Sequence, residues 1–183
     1  EAILQGFFEL VERDAIALWW YNKIKRPAVD LDALSLTNQQ KFQQALTNWN
    51  YWVLDITNDF GIPVMAGIAQ HPQTGKFCLG FGCHFHPMIA CQRALAELCQ
   101  LLPIRDQNQK MFDFDAIQPE AFLQPNGLHK GGEPFVKSIS QNLKEDILHC
   151  VQKAKEQGLE TLVLDYSRPD LPLSTVKVVV PGL

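Results

Sequence analysis

No cluster of basic residues occurs in the chain. Its 16 Lys and Arg are scattered among 20 Asp and Glu, for a net charge of −4, so a polyanion or an anionic membrane finds no matching field. No apolar run reaches the roughly 20 residues that a membrane span requires, and no secretory signal pattern is present. The 5 cysteines, Cys78, Cys83, Cys91, Cys99 and Cys150, are odd in number and contain no C-x-x-C pair. That excludes a disulfide framework and suits a reducing cytoplasm. There is no Walker A loop, and L-G-F-G-C at residues 79–83 is not the glycine pattern of a dinucleotide fold. No methionine precedes Glu1 and the chain stops at VVVPGL. The expectation is a fragment whose first helix begins in mid-stride.

What is present is enough apolar mass for one core, 46% of 183 residues. The pattern predicts a helix from Glu1 to Ile24, stopped before Pro27, and a loop over RPAVDLDAL. Thr37 and Gln40 form a capping box for a second helix reaching Trp49. YWVLDI, GIPVMAGIAQ and KFCLGFG read as strands, and Pro87 opens a helix to Leu102. Residues 103–134 are rich in turn formers and read as irregular. A helix over 140–157 ends at Gly158, and TLVLDY and TVKVVV close the chain as strands. This is an α+β composition, a mixed β-sheet packed with helices. WVLDITNDFGIPV and LVLDYSRPDLPL share V-L-D-x-[ST], a turn and [IL]-P-[VL], each after a helix. Either a helix–strand–turn–strand unit is repeated, or buried strands ending in Asp turns merely look alike.

Two helices carry charge in unusual places. At about 100° per residue, Glu1, Glu9 and Glu12 share an arc of the first helix with Arg13 beside it, opposite the apolar arc of Leu4, Phe7, Phe8 and Val11. Only Glu9 has a cation at i+4, so this stripe either faces water or holds cations. On the helix after Pro87, Arg93, Glu97 and Gln100 form one polar stripe on a wheel otherwise composed of Ala, Leu, Ile, Met and Cys. A helix apolar on nearly every side is buried, and its charges need partners. Arg93 and Glu97 can pair internally, or the stripe can meet the Glu1, Glu9 and Glu12 stripe across a polar cavity. Mg²⁺ takes hard oxygen ligands together with phosphate oxygens, and Arg reads phosphate. Clustered Glu with Arg therefore suggests a Mg-nucleotide site.

EAILQGFFELVERDA, the WWYN that follows, GFGCHFHPMIACQRALAELCQ and LVLDYSRPDLPLSTVKVVVPGL resemble consecutive segments of YcaO-domain proteins. WWYN and the following I-K-R-P are most similar to the cyclodehydratases of cyanobactin-type peptide pathways. The resemblance implies ATP and Mg²⁺ held in an acidic cluster, and activation of a peptide-bond oxygen so that Cys, Ser or Thr closes an azoline ring. It implies that Glu1, Glu9 and Glu12 hold Mg²⁺ and that Arg13, Arg93, Glu97 and Gln100 lie at the ATP phosphates. It also implies that residues 1–183 are the C-terminal part of a longer domain, truncated at both ends. The Ser-Asn-Gly and Gly-Asn segment, an earlier acidic motif and a proline-rich C-terminal tail are not among these residues.

The implied partners are a ribosomal precursor peptide, the N-terminal half of the domain and a leader-recognition domain, with no nucleic acid or membrane. In isolation the fragment is expected to bind ATP weakly and not to turn over. Surface exposed around Trp19, Trp20 and Phe8 would favour self-association as a homodimer. A non-catalytic scaffold and an ATP-dependent thioamide-forming enzyme are the alternative readings.

Among the remaining residues, Cys83, His84 and His86 raise a zinc site, which strand alternation disfavours because Cys83 faces away from the two histidines. Asp14, inside the apolar arc, reads as a buried acid bonded to backbone or arginine. Asp165, Arg168 and Asp170 read as a turn network, and Trp19, Trp20 and Tyr21 as core or interface.

Overall fold

The computed structural model describes residues 1–34, 36, 38–106, 116–129 and 142–183. In chain order these form α1 (Ala2–Asn22), β1 (Ala28–Val29), α2 (Leu31–Leu34), α3 (Gln39–Ala45), β2 (Asn50–Asp55), β3 (Val64–Gln70), β4 (Phe77–Cys83), α4 (Pro87–Asp106), a 3-10 turn (Ala121–Leu123), β5 (Leu128–His129), α5 (Leu143–Glu156), β6 (Leu162–Asp165) and β7 (Val176–Val179). One sheet has the order β4-β3-β2-β1-β5, and β6 and β7 form a second, antiparallel pair. In the first sheet only β1 and β5 run parallel. The sheet is therefore mixed and packed with helices, as the sequence pattern predicts.

Strand alternation divides the core into two layers. Leu54, Val64, Ala66, Ile68, Phe77 and Leu79 join Phe7, Phe8, Val11 and Trp19 of α1 in one cluster. Val53, Met65, Ala69 and Cys78 join Ala90, Ala94, Leu95 and Leu98 of α4 in the other. The sheet thus lies between α1 and α4. β7 and α5 also pack on α1, through Val178, Val180, Cys150 and Ala154. The glycines of L-G-F-G-C belong to the α4 layer. A Cβ at Gly80 would stand 2.5 Å from the Ala94 carbonyl oxygen, and one at Gly82 would stand 2.6 Å from the Ala94 nitrogen. Bare strand lets the α4 backbone lie directly on the sheet.

Several boundaries differ from the sequence pattern for local reasons. α1 stops short of Pro27 because Lys23 adopts the left-handed region, φ 51, and Ile24 N–H donates to the Trp19 carbonyl at 3.1 Å. RPAVDLDAL is not all loop: it contains β1 and α2, whose first turn is capped by Asp30 Oδ1 accepting from the N–H groups of Asp32 and Ala33, both 3.1 Å. Thr37 of the expected capping box lies outside the described residues, and Asn38, which precedes α3, makes no side-chain cap bond. α4 continues through Pro103 to Asp106, forgoing one ladder bond in its last turn. Of the stretch read as irregular, 107–115 and 130–134 lie outside the described residues.

At the end of α5 the expected glycine stop is present in full. Gly158, φ 76, donates to the Lys155 carbonyl at 3.0 Å, and Leu159 donates to the Ala154 carbonyl at 2.9 Å. A Cβ at Gly158 would meet nothing within 4 Å, so Gly158→Ala should cost only the left-handed penalty, about 1 kcal/mol. Urea titration of the variant checks this, and an unchanged midpoint would show that the turn relaxes freely.

The internal echo is a repeated hairpin. In the first copy Asp55 Oδ1 accepts from Thr57 N–H at 2.9 Å, Thr57 Oγ1 accepts from Val64 N–H at 3.1 Å, and Ile56 N–H donates to the Val64 carbonyl at 2.9 Å. In the second, Asp165 Oδ1 accepts from Ser167 N–H at 2.8 Å, Ser167 Oγ accepts from Thr175 N–H at 3.1 Å, and Tyr166 N–H donates to the Thr175 carbonyl at 2.8 Å. The same side chains at the same offsets shape both turns, with one more residue in the second loop. Arg168 and Asp170 pair within that loop at 2.6 and 3.0 Å, as the turn-network reading expects.

Candidate active site

Among the described residues β4 is an edge strand of the five-stranded sheet, so alternate N–H and C=O groups along it face no neighbouring strand there. Two of them are taken by α4. Glu97 Oε2 accepts from the Phe81 N–H, and Arg93 Nη1 donates to the Cys83 carbonyl at 2.9 Å. Among the described residues Arg93 and Glu97 do not pair with each other. Their bonds to the strand edge fix both side chains one helical turn apart, and Arg93 also lies over the Phe8 ring, 5.8 Å from its centroid.

From the opposite face of the sheet, α1 brings its acidic stripe to the same edge. Glu12 is half-buried, and its pKa is raised from 4.5 to about 7. Burial is the main cause, followed by the negative charges of Glu9 and Glu97, with Arg13 and Arg93 opposing. Arg13 Nε donates to Glu9 Oε1 at 2.8 Å, and this bond raises the guanidinium's own pKa further. Beside the charges lies a cleft of about 420 Å³ whose walls are chiefly apolar: Ile16, Trp20, Tyr21, Phe81 and Leu101, with Arg13 and Glu97 as the charged members.

The structure therefore brings Glu9, Glu12, Arg13, Arg93 and Glu97 together. Glu1 is exposed at the N-cap of α1, about 12 Å along the axis from Glu9 at 1.5 Å per residue. Gln100 is also exposed, and neither lines the cleft. Asp14 is half-buried rather than buried, and among the described residues its partner is neither backbone nor arginine: it accepts from Asn58 Nδ2 at 2.6 Å. Trp19 and Phe8 are fully buried, so they supply no exposed patch, whereas Tyr21 is 81% exposed at the cleft. Burial pushes the Cys91 and Cys150 thiols up to about 12, which makes them core residues rather than nucleophiles.

Among the described residues no group of three or more His, Cys, Asp or Glu is placed to hold a metal ion. A zinc site at Cys83, His84 and His86 is not formed. For Mg²⁺ the donor set fits differently. A partly buried carboxylate repelled by two others is relieved by a cation, and Mg²⁺ takes one or two carboxylates and completes its shell with water and phosphate oxygens. His84, raised by the sequence only within a disfavoured zinc site, lies near Arg93. His84 Nδ1 accepts from His86 N–H at 3.0 Å, and its ring lies 5.4 Å from Phe8. Burial and Arg93 push its pKa down to about 4. It is thus a neutral imidazole with its proton on Nε2. C-H-x-H raises only a zinc site, disfavoured by strand alternation, and carries no signal for a neutral imidazole.

The family model described as YcaO cyclodehydratase, ATP- and Mg²⁺-binding, matches residues 1–183. A heterocyclase solved in complex with substrate and cofactor is 39% identical and aligns with a TM-score of 0.84 over 98% of this chain and 26% of its own. The heterocyclase TruD is 40% identical, with a TM-score of 0.81 over 98% of this chain and 27% of its own. YcaO from Methanopyrus kandleri, bound with AMPPCP and Mg²⁺, is 20% identical and shares the fold, with a TM-score of 0.73 over 96% of this chain and 50% of its own. The chain spans about half the length of the curated relatives it matches. Among the described residues no helix is long and apolar enough to cross a membrane.

Proposed function

The chain belongs to the YcaO cyclodehydratase family, and on that premise we propose that it forms the C-terminal part of an ATP-dependent cyclodehydratase domain acting on Cys, Ser or Thr of a ribosomal precursor peptide. ATP with Mg²⁺ would supply the phosphoryl group that turns a peptide-bond oxygen into a leaving group as the azoline ring closes. Glu9 and Glu12 are the carboxylates offered to the cation, with Glu1 further along the same stripe. Arg13 and Arg93 neutralise phosphate charge, and the cost of bringing them into place is already met in the fold by their bonds to Glu9 and the β4 edge. Glu97 closes the acidic side, and Gln100 is assigned a peripheral phosphate contact. The apolar cleft beside Arg13 and Glu97 gives the peptide a dry approach to the charged edge. The cytoplasm supplies both ATP and the reducing conditions that suit five free thiols.

The observation that carries this reading is the half-buried Glu12, held between Glu9 and Glu97. It also makes the reading testable in the 183-residue chain. Folded Glu12 keeps its proton up to about pH 7, whereas the unfolded side chain loses it near 4.5. Between those values the folded state binds more protons, so Glu12 makes stability fall as pH rises from about 4.5 to 7, with the penalty constant above. Glu156, Asp165 and Asp170 have lowered pKa values and act in the opposite sense. The readout is therefore the difference between wild type and Glu12→Gln in urea titrations from pH 4 to 8. Glu12→Gln should be the more stable of the two at pH 8, with the advantage gone at pH 4. Mg²⁺ with ATP should narrow the gap by stabilising the wild type alone. Parallel pH curves for the two chains would remove the buried-charge argument.

A further inference from the structure

The two hairpins of the repeat have the same turn but not the same surroundings. Val53 and Leu54 of β2 are 0% exposed, whereas their counterparts Val163 and Leu164 of β6 are 43% and 44% exposed. Ile56 is buried, and its counterpart Tyr166 is exposed. Three consecutive apolar residues, Leu162 to Leu164, alternate between the two faces of β6 and remain half-open on both. A run of this kind is the sequence of an interior strand, covered above and below and paired on either side.

β2 is such a strand. β3 pairs with one edge and β1 with the other, antiparallel, with Ala28 opposite Leu54 and Asp55 N–H donating to the Pro27 carbonyl at 3.1 Å. β6 has β7 on one edge and, among the described residues, no strand on the other. Tyr166 N–H points to Thr175 of the β7 side, so by alternation the N–H groups of Val163 and Asp165 point away from it. Asp165 corresponds to Asp55, the residue whose N–H meets β1. The first hairpin therefore specifies what the second lacks: an antiparallel strand on the outer edge and apolar cover for Leu162 and Leu164.

We propose that the outer edge of β6 at Val163–Asp165 receives an antiparallel strand from the portion of the YcaO domain lying outside these 183 residues, as β2 receives β1. Length supports that occupant over a second copy of the chain. The span covers 49% and 52% of the curated relatives it matches, so about as much chain again accompanies it there. The inference rests on reading the chain as part of a longer domain, and not on the assignment of the acidic edge. Mg-ATP binding measured on the same samples reports on that assignment separately.

The test compares the 183-residue chain with a chain that also carries the rest of the domain. Amide hydrogen exchange should find Val163 and Asp165 fast in the first and slowed at least about 100-fold in the second, while Val53 and Asp55 are slow in both. Val163→Pro removes an outward N–H without touching the β7 ladder. It should leave the melting temperature of the 183-residue chain nearly unchanged and lower that of the longer chain by several degrees. Fast exchange at Val163 and Asp165 in the longer chain would overturn the proposal. So would a 183-residue chain that sediments as a dimer and protects these amides, because the edge would then belong to a second copy.

Discussion

In a complete YcaO domain carrying these residues, Glu12→Gln is expected to lower ATP-dependent azoline formation by about 10²–10³-fold, the usual cost of removing one preorganised charge from a transition-state site. Glu9→Gln should act in the same direction. It also releases Arg13 from its 2.8 Å bond, so its effect divides between cation binding and arginine placement. The substitution at Glu12 has a second, opposite consequence that a merely structural residue would not show. The side chain keeps its shape but loses a charge that burial, Glu9 and Glu97 disfavour, so the fold gains stability at pH 8 while the reaction is lost. A residue that weakens its own fold to hold a charge at one place is what the proposed cation site requires of Glu12. Peptide binding should be near normal in both variants. Single-turnover assays with ATP and precursor peptide, paired with urea titrations, separate these outcomes. Wild-type turnover in both variants would remove α1 from the cation site.

Much of this arrangement was legible in the sequence because it is periodic. The apolar arc of α1, the apolar face of α4 and the three apolar runs that become β2, β3 and β4 follow from helical and strand patterns, and the structure packs all of them into the core; the acid stripe of α1 is realised at Glu9 and Glu12 but not at Glu1. The meeting of the two polar stripes was legible only as one of two alternatives. Which alternative holds depends on β4 being an edge strand, and edge position is a tertiary fact with no local sequence signature. An internal Arg93–Glu97 pair was equally compatible with the i, i+4 spacing. The backbone of β4 offered both side chains a partner, and that partner won. Gln100 shares the wheel position but lies beyond the strand groups that anchor the other two, and it is exposed. Asp14, expected to be a buried acid bonded to backbone or arginine, is instead half-buried and accepts from Asn58 in the loop of the first hairpin, a partner that spacing could not reveal. The expected exposed patch was misplaced for a related reason. Trp19 and Phe8 looked unsupported on a lone helix, but β4, the segment that follows it and the 3-10 turn bring Phe81, Phe85 and Phe122 to them. The open apolar surface lies instead on β6, whose run of Leu-Val-Leu reads as interior and has, among the described residues, no strand on its outer edge.

Gly80→Ala and Gly82→Ala are each expected to destabilise the chain by about 3 kcal/mol or more, beyond the usual range for surface positions. The added methyl at residue 80 would meet the Leu98 nitrogen and the Ala94 carbonyl oxygen, and at residue 82 the Ala90 carbonyl oxygen and the Ala94 nitrogen. These are backbone atoms within a helix, so no rotamer change can relieve the contact, and α4 must move away from the sheet. That displacement acts directly on function. Glu97 and Arg93 reach Phe81 N–H and the Cys83 carbonyl only because the helix axis is close to the strand. Lifting α4 would pull both side chains off the β4 edge and remove the charges that face Glu12. Gly6 offers a contrast on the other side of the molecule. A Cβ there meets first the Val178 side chain, at 2.8 Å, which is a contact with a single methyl on the two-stranded pair. Gly6→Ala should therefore be milder, leave the bonds of Arg93 and Glu97 intact, and preserve the dependence of stability on pH. Urea titrations of the three variants at pH 5 and pH 8 give the comparison. If Gly80→Ala and Gly82→Ala unfold at wild-type denaturant concentrations, α4 does not rest on bare strand, and the positioning of the acidic edge needs another cause. If they are destabilised but keep the wild-type pH slope, Glu12 owes its raised pKa to α1 alone rather than to the meeting of the two helices.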